Sequence, residues 1–86
     1  MQTYSYDALT NAHRFASNHK QQILSDNKCG CFYCGRIFEP SEIKMWLDME
    51  DTALCPYCGI DSVIGESSGY PITKEFLEAM YKRWFR

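Results

Sequence analysis

The chain carries one pattern twice, as Cys31-Phe32-Tyr33-Cys34-Gly35 and as Cys55-Pro56-Tyr57-Cys58-Gly59. In a C-x-x-C-G pattern the short spacing lets both thiolates reach one metal ion, and the glycine accepts the backbone turn that follows. Two such knuckles supply four thiolates, which is the ligand set of a closed tetrahedral zinc site. We therefore predict one structural zinc ion, held by Cys31, Cys34, Cys55 and Cys58.

Three other interpretations of these cysteines have less support. Four thiolates also bind iron, in rubredoxin-like or iron–sulfur centres, and the sequence does not separate the two metals. A thioredoxin-like redox motif would need a strand and a helix around one pair, and neither pair has that context. A disulfide framework is disfavoured because the chain has five cysteines, an odd number, with no apolar signal segment before them.

Cys29 and the two histidines are further candidate ligands. A pair made of Cys29 and Cys31 would keep neither the two-residue spacing nor the trailing glycine, so we expect Cys29 to pack as a small apolar side chain. The spacing of His13 and His19 does not place them on one face of a helix, and four thiolates already complete a zinc shell. We expect both histidines to meet solvent or to pack against the zinc module.

Length and composition limit the function. A chain of 86 residues predicts a single domain, 1–86, that buries too little apolar surface to be comfortably stable without a metal. Since four protein ligands leave no position for water, we expect the metal to be structural and the protein not to be an enzyme. No apolar run approaches the length of a membrane span, and neither end has a lipidation signal, so we expect a cytoplasmic protein.

The apolar pattern predicts a small α+β zinc-binding domain. Short strands are expected near Phe32 and at Thr52–Leu54, and a short helix is expected between the knuckles from Pro40 to Leu47. Gly59 to Gly65 fits either a strand or a helical turn. The three predicted segments are an N-terminal helix at 5–25, a zinc-knuckle module at 29–65 and a C-terminal amphipathic helix at 73–85 with Thr73 as N-cap.

The knuckles, from Cys31 to Gly59, resemble those of zinc ribbons in transcription factors, ribosomal proteins and small bacterial modules. The run from Leu54 to Ile60 is also similar to treble-clef zinc fingers of the GATA kind, in which the second knuckle opens a helix. Gly65 would cut that helix short and no basic run follows, so the DNA-contacting part of that family does not carry over. The whole chain also resembles a group of small bacterial cytoplasmic proteins of no assigned function, which is compatible with a phage origin.

Charge and aromatic content favour a protein partner. The net charge of −2 opposes non-specific binding to a phosphate backbone. Large aromatic side chains anchor protein interfaces, and an acidic turn would select a basic partner. The predicted contacts are Trp46, Asp48, Glu50, Asp51, Tyr70, Trp84 and Phe85.

Nucleic-acid binding is the alternative, because zinc ribbons and treble clefs often serve it. It requires a set of cations to converge on one face, with Tyr33 or Tyr57 stacking on bases. Those cations are Arg14, Lys20, Lys28, Arg36, Lys82, Arg83 and Arg86. An enzymatic role has least support: Asp61 and Ser62 are expected to form a local turn beside the second knuckle, in contact with a metal ligand at most.

Overall fold

Three α-helices and five short strands lie within the residues that the structure, a computed structural model, describes, namely 4–47, 49 and 51–85. The helices are α1 (Tyr6–Ala12), α2 (Lys20–Leu24) and α3 (Lys74–Trp84). The strands are β1 (Cys29–Cys31), β2 (Ile37–Phe38), β3 (Trp46–Leu47), β4 (Thr52–Ala53) and β5 (Val63–Gly65). None of the described helices is long and apolar enough to cross a bilayer.

Strand β1 is the centre of a three-stranded antiparallel sheet, with β2 on one side and β5 on the other. Helix α3 packs closely over this strand. A Cβ atom added to Gly30 would lie only 2.8 Å from Cδ1 of Leu77, which shows how close the approach is. Glycine at this position therefore allows the helix to approach the strand. Since β1 ends at Cys31, the centre of the sheet fixes the first ligand of the first knuckle.

The predicted N-terminal helix at 5–25 is wrong as one continuous element. Ser5 caps α1 as expected, but α1 continues only as a 3₁₀ turn to Ala16. The helical conformation is then interrupted before α2 begins. At the break, Asn18 has a φ of 51° and its N–H donates to Oγ1 of Thr52, 3.1 Å away. The His19 N–H donates to the Asp51 carbonyl at 3.1 Å. These bonds to the β4 region replace the helical bonds that the periodic pattern predicted.

The predicted helix from Pro40 to Leu47 is also wrong. Only Pro40–Glu42 is helical, as one 3₁₀ turn, and β3 then pairs with β4 in a second, two-stranded antiparallel sheet. The Leu54 N–H extends the ladder by donating to the Met45 carbonyl at 3.0 Å. A few apolar residues over one or two turns fit a helix or a strand, and pairing with β4 decides between them.

The C-terminal helix forms where the sequence predicts it, and the Thr73 side chain accepts a hydrogen bond from the Phe76 N–H. One face of α3 packs in a core with α1. Its buried members are Leu9, Ala12, Ala16, Phe32, Ile64, Ile72, Phe76, Leu77 and Met80. A second core surrounds the cysteines and consists of Ile23, Cys29, Cys31, Phe38, Ile43, Ala53, Cys55 and Val63.

The segment after the second knuckle forms β5. The helix that the treble-clef resemblance implies at this position is therefore not formed. The sequence left a strand and a helical turn open here, and pairing of β5 with β1 settles the choice. The strand returns the chain to the central sheet and so ties the second knuckle to the first.

Candidate metal centre

The first knuckle is a tight turn directly after β1. Gly35 has a φ of +79°, and its N–H donates to the Cys31 carbonyl at 2.8 Å. The Tyr33 N–H points at Sγ of Cys31, 3.4 Å away, and the Cys31 N–H closes the turn on the Arg36 carbonyl at 2.9 Å. A left-handed residue is required after the second cysteine, which explains the glycine there.

The second knuckle repeats this geometry. Gly59 also has a φ of +79°, and its N–H donates to the Cys55 carbonyl at 2.9 Å. The Tyr57 N–H lies 3.4 Å from Sγ of Cys55, and the Cys55 N–H donates to the Ile60 carbonyl at 3.0 Å. In both knuckles a peptide N–H therefore points at the first sulfur, where it can stabilise a thiolate.

The two knuckles face each other and bring four sulfur atoms together. The ligand atoms of Cys31, Cys34, Cys55 and Cys58 all lie within 4.8 Å of one another. The Sγ atoms of Cys31 and Cys58 are 3.6 Å apart, and those of Cys34 and Cys55 are 3.7 Å apart. Metal–sulfur bonds of about 2.3 Å in a regular tetrahedron put the sulfurs about 3.8 Å apart. The cluster therefore has the dimensions to hold one metal ion.

The protein environment disfavours thiolates without a cation at three of the four positions. Burial is the main cause that raises the pKa of Cys31, of Cys34 and of Cys58. For Cys55, burial acts in the same direction, but hydrogen bonds from the Cys58 and Tyr57 N–H groups outweigh it and lower the pKa. A divalent ion would reverse this balance, because its charge stabilises all four thiolates at once.

Ser62 contacts the cluster from outside. Its buried hydroxyl lies 3.0 Å from Sγ of Cys31, and its carbonyl accepts the Phe32 N–H at 3.0 Å. The hydroxyl can donate to a Cys31 thiolate and thereby stabilise it. The sequence had placed Asp61 and Ser62 beside the second knuckle, and the structure identifies Ser62 as the one that contacts a candidate ligand.

Cys29 lies outside the cluster. The residue is fully buried in the second core, and its Sγ faces the Phe38 carbonyl at 3.6 Å. Burial is the main cause that raises the pKa of the Cys29 thiol to about 12. The expectation that Cys29 packs as an apolar side chain is confirmed.

The two histidines contact other parts of the fold. The ring of the buried His19 lies between two backbone groups: Nδ1 is 2.7 Å from the Phe15 carbonyl, and Nε2 accepts the Ala53 N–H at 3.0 Å. The exposed His13 ring lies 4.1 Å from the Trp84 ring. Among the described residues, the candidate metal cluster consists of cysteines alone. His19 therefore packs against the knuckle module, as the sequence had suggested.

Two of the predicted partner contacts serve mainly internal packing. Nε1 of Trp84 donates to the Leu9 carbonyl at 3.2 Å, which joins α3 to α1. The Tyr70 ring stacks on the buried Phe76 at 5.5 Å. Replacing Trp84 would therefore disturb the fold as well as any interface.

Asp51 lies in the turn between β3 and β4, and Trp46 belongs to β3. The half-buried Trp46 ring lies 6.3 Å from the His19 ring, and the Lys20 ammonium lies 5.4 Å from it. Asp51 is exposed, with a φ of 51°. Asp48 and Glu50 lie outside the described residues.

Phe85, one of the predicted partner contacts, lies beside two exposed tyrosines that were not among those contacts. Its ring lies 5.0 Å from that of Tyr33 on the first knuckle and 5.9 Å from that of Tyr81. The exposed fractions are 44% for Tyr33, 36% for Tyr81 and 42% for Phe85. We name these three residues the aromatic surface. Tyr81 lies in α3 and Phe85 is the residue that caps its C-terminus, four positions later. This spacing was the available signal, although it equally fits a core stripe.

Several cations of the nucleic-acid alternative contact other side chains. Arg36 lies 4.7 Å from the Tyr57 ring, and Arg83 lies 4.1 Å from the rings of both Tyr6 and Trp84. Lys82 pairs with Glu78 on α3 at 3.5 Å. Arg86 lies outside the described residues.

Comparison of the chain with protein-family models, with curated proteins and with solved structures finds no match.

Proposed function

We propose that the protein is a non-enzymatic interaction module, built on one structural zinc ion, that binds another protein. The observation that carries the proposal is the closed cluster of four sulfur atoms, all within 4.8 Å of one another. Four thiolates fill a tetrahedral shell and leave no position for a substrate or a catalytic water. Zinc suits this role better than iron because it has no redox chemistry of its own.

The zinc ion would act mainly on stability. It would join the end of β1 to the second knuckle, which are far apart in sequence and have only short strands between them. The apparent binding free energy of structural zinc, about 10–16 kcal/mol, is comparable to the whole stability of an ordinary domain, about 5–15 kcal/mol. Removing the metal should therefore unfold the knuckle module.

The aromatic surface is the proposed contact with the partner. Tyr33 stands on a knuckle that the metal would hold rigid, and Phe85 packs its ring edge-on against it. Large aromatic side chains on a rigid support anchor protein interfaces at low entropic cost. This moves the proposed contact from Trp84, which packs internally, to Phe85 and its neighbours.

Nucleic-acid binding is the second candidate. Tyr33 and Tyr57 occupy matching positions on the two knuckles and both are exposed, with Arg36 beside the Tyr57 ring. Such rings could stack on unpaired bases. The net charge of −2, and the contacts that Lys82 and Arg83 already make with other side chains, make this the weaker proposal, since phosphate binding depends on clustered, available cations.

The test combines metal analysis with partner capture. Native mass spectrometry of the gently purified protein should show one zinc ion per chain and a second protein. Substituting Tyr33 and Phe85 together by serine should keep the zinc and lose the partner. Leu24→Ser is a matched control, because Leu24 is an exposed apolar residue at the end of α2.

The outcomes separate the proposals. Loss of the partner in the double variant alone supports the aromatic surface, and equal loss in the Leu24→Ser control counts against it. Copurified nucleic acid that dissociates as salt is raised would favour the second candidate. A fully folded protein without any metal would overturn the proposed structural role of zinc.

A further inference from the structure

Two clefts adjoin on the outside of the first knuckle. The first has a volume of about 330 Å³ and lies between the knuckle and α3, where Tyr33 and Tyr81 line it. The second has a volume of about 500 Å³ and lies between the knuckle, Tyr57 and the start of α3. Because Cys34 and Lys74 line both clefts, the two form one groove across the knuckle. We name it the knuckle groove.

One end of the knuckle groove carries two cations. Arg36 and Lys74 line the second cleft, and both are exposed. Neither makes an ion pair with a carboxylate in the part of the chain that the structure describes. The Arg36 guanidinium lies over the Tyr57 ring, 4.7 Å from its centre, and the Tyr57 hydroxyl donates to Glu42, which lines neither cleft. A guanidinium held over a ring can still offer its N–H groups to a carboxylate.

The other end of the groove is aromatic. The exposed rings of Tyr33 and Tyr81 line the first cleft, and their centres are 5.9 Å apart. Glu78 also lines this cleft and pairs with Lys82 at 3.5 Å. The unpaired positive charge of the groove therefore lies at the end away from these rings.

This division of the groove suits a peptide better than a nucleic acid. A nucleic-acid strand carries a phosphate at every nucleotide, and its affinity depends on how many of them are neutralised. Two unpaired cations at one end, with an acid at the other, complement only one or two anionic groups. The two tyrosines complement a large apolar side chain. The matching ligand is a peptide with carboxylates at one end and an apolar anchor at the other.

We propose that the knuckle groove binds an extended, acidic segment of the partner protein. Its carboxylates would contact Arg36 and Lys74, and a large apolar side chain would pack against Tyr33 and Tyr81. Lys74 and Tyr81 are two turns apart on α3, a distance of about 10 Å along the helix. An extended chain covers that distance in about three residues, which sets the spacing between acid and anchor. This inference rests on the proposed function, since it names the chemistry of the protein partner.

Selection from a display library of short random peptides tests this chemistry. The target is the full-length chain, loaded with metal and kept in excess zinc. We expect the enriched peptides to carry aspartate or glutamate about three positions from an aromatic residue or leucine. A labelled synthetic copy of one enriched peptide then gives dissociation constants by fluorescence anisotropy, and a second copy has its acidic residues replaced by the corresponding amides.

Single variants of the chain test the two cations. Lys74→Gln and Arg36→Gln should each weaken the acidic peptide about three- to tenfold, because each removes one charged contact. The same variants should change the affinity of the amide peptide by less than about twofold. Lys28→Gln removes an exposed cation that lines neither cleft, and this matched control should bind both peptides like the wild type.

Enrichment of acidic peptides, together with a loss in both variants that disappears for the amide peptide, supports the inference. Enriched peptides without acids, or an acidic peptide that neither variant weakens, overturn it. A single-stranded oligothymidylate that binds more tightly than the peptide at the same salt concentration also overturns it and favours the nucleic-acid candidate.

Two further measurements separate this inference from its premises. If the serine double variant of Tyr33 and Phe85 loses the captured partner while Lys74→Gln and Arg36→Gln both keep it, the protein interface stands and the acidic specificity is wrong. Four thiolates and one divalent ion carry a net negative charge, so the two cations also lie near a negative centre. Metal content is therefore measured on every sample, and a loss of peptide binding that only follows a loss of zinc overturns the inference.

Discussion

Replacing His19 by alanine should destabilise the protein by about 2–4 kcal/mol. In the structure both ring nitrogens bind the backbone: Nδ1 lies 2.7 Å from the Phe15 carbonyl, and Nε2 accepts the Ala53 N–H at 3.0 Å. Alanine leaves the buried Ala53 N–H without a partner, which alone costs about 1–3 kcal/mol. The remainder comes from the space left where the ring packs edge-on against Trp46.

The same geometry sets the pH dependence. Since Nε2 accepts a hydrogen bond, the folded state needs the neutral ring with its proton on Nδ1. Burial is the main cause that lowers the pKa of His19 below its usual 6.5, against the opposing effects of the Phe15 carbonyl and Asp26. The unfolded chain then binds the proton more readily. The contribution of His19 is therefore complete above about pH 6.5 and is lost as the pH falls below that value.

Urea unfolding followed by tryptophan fluorescence measures both effects, with free zinc buffered at one level for every variant. His19→Gln is the control, because its amide oxygen can still accept the Ala53 N–H but does not titrate in this range. The difference in stability between wild type and His19→Gln isolates the proton effect from the loss of metal in acid. A cost below about 1 kcal/mol for His19→Ala, or a pH-independent difference from His19→Gln, would refute the role given to this residue.

Further predictions concern the metal centre. Gly35→Ala and Gly59→Ala should cost about 1–2 kcal/mol each. The two costs should be similar because both residues have a φ of +79° and nothing lies within 4 Å of an added Cβ atom. Competition with a chromophoric chelator would measure each cost as a loss in metal affinity. Ser62→Ala should weaken metal binding about tenfold through the lost contact with Cys31, and an unchanged affinity would contradict that. Metal affinity should rise with pH, because burial raises the pKa of the Cys31 thiol and its proton must leave on binding, as titrations at several pH values would show. Cys29→Ala should leave the metal content by mass spectrometry at one ion per chain, since Cys29 is not among the clustered sulfurs.

The two knuckles could be predicted because the geometry of each one is local. Each C-x-x-C-G run determines its own turn, and the glycine at its end marks the position where the backbone has a positive φ. Thr73 likewise predicts the start of α3, because its capping hydrogen bond involves only the first turn of that helix. In these places the sequence and the structure agree because neighbouring residues decide the conformation.

The predictions of helices at 5–25 and from Pro40 to Leu47 were wrong for the opposite reason. Both were inferred from apolar spacing, and both are interrupted by hydrogen bonds to residues distant in sequence. The break before α2 depends on bonds to Asp51, Thr52 and Ala53, and β3 exists because β4 pairs with it. Intrinsic helix preference amounts to less than about 1 kcal/mol per residue, so a few such bonds outweigh it.

The same long-range pairing determines how His19 is held. Helical periodicity would have placed Trp46 and Leu47 on one buried face, with no strand available to pair with β4. Once β3 pairs with β4, the alternation of the ladder turns the Trp46 N–H and C=O outward, as it turns the Ala53 N–H toward His19. The position of His19 between two backbone groups is therefore a consequence of the hairpin, and a chain in which that segment stayed helical should not show the predicted cost of His19→Ala.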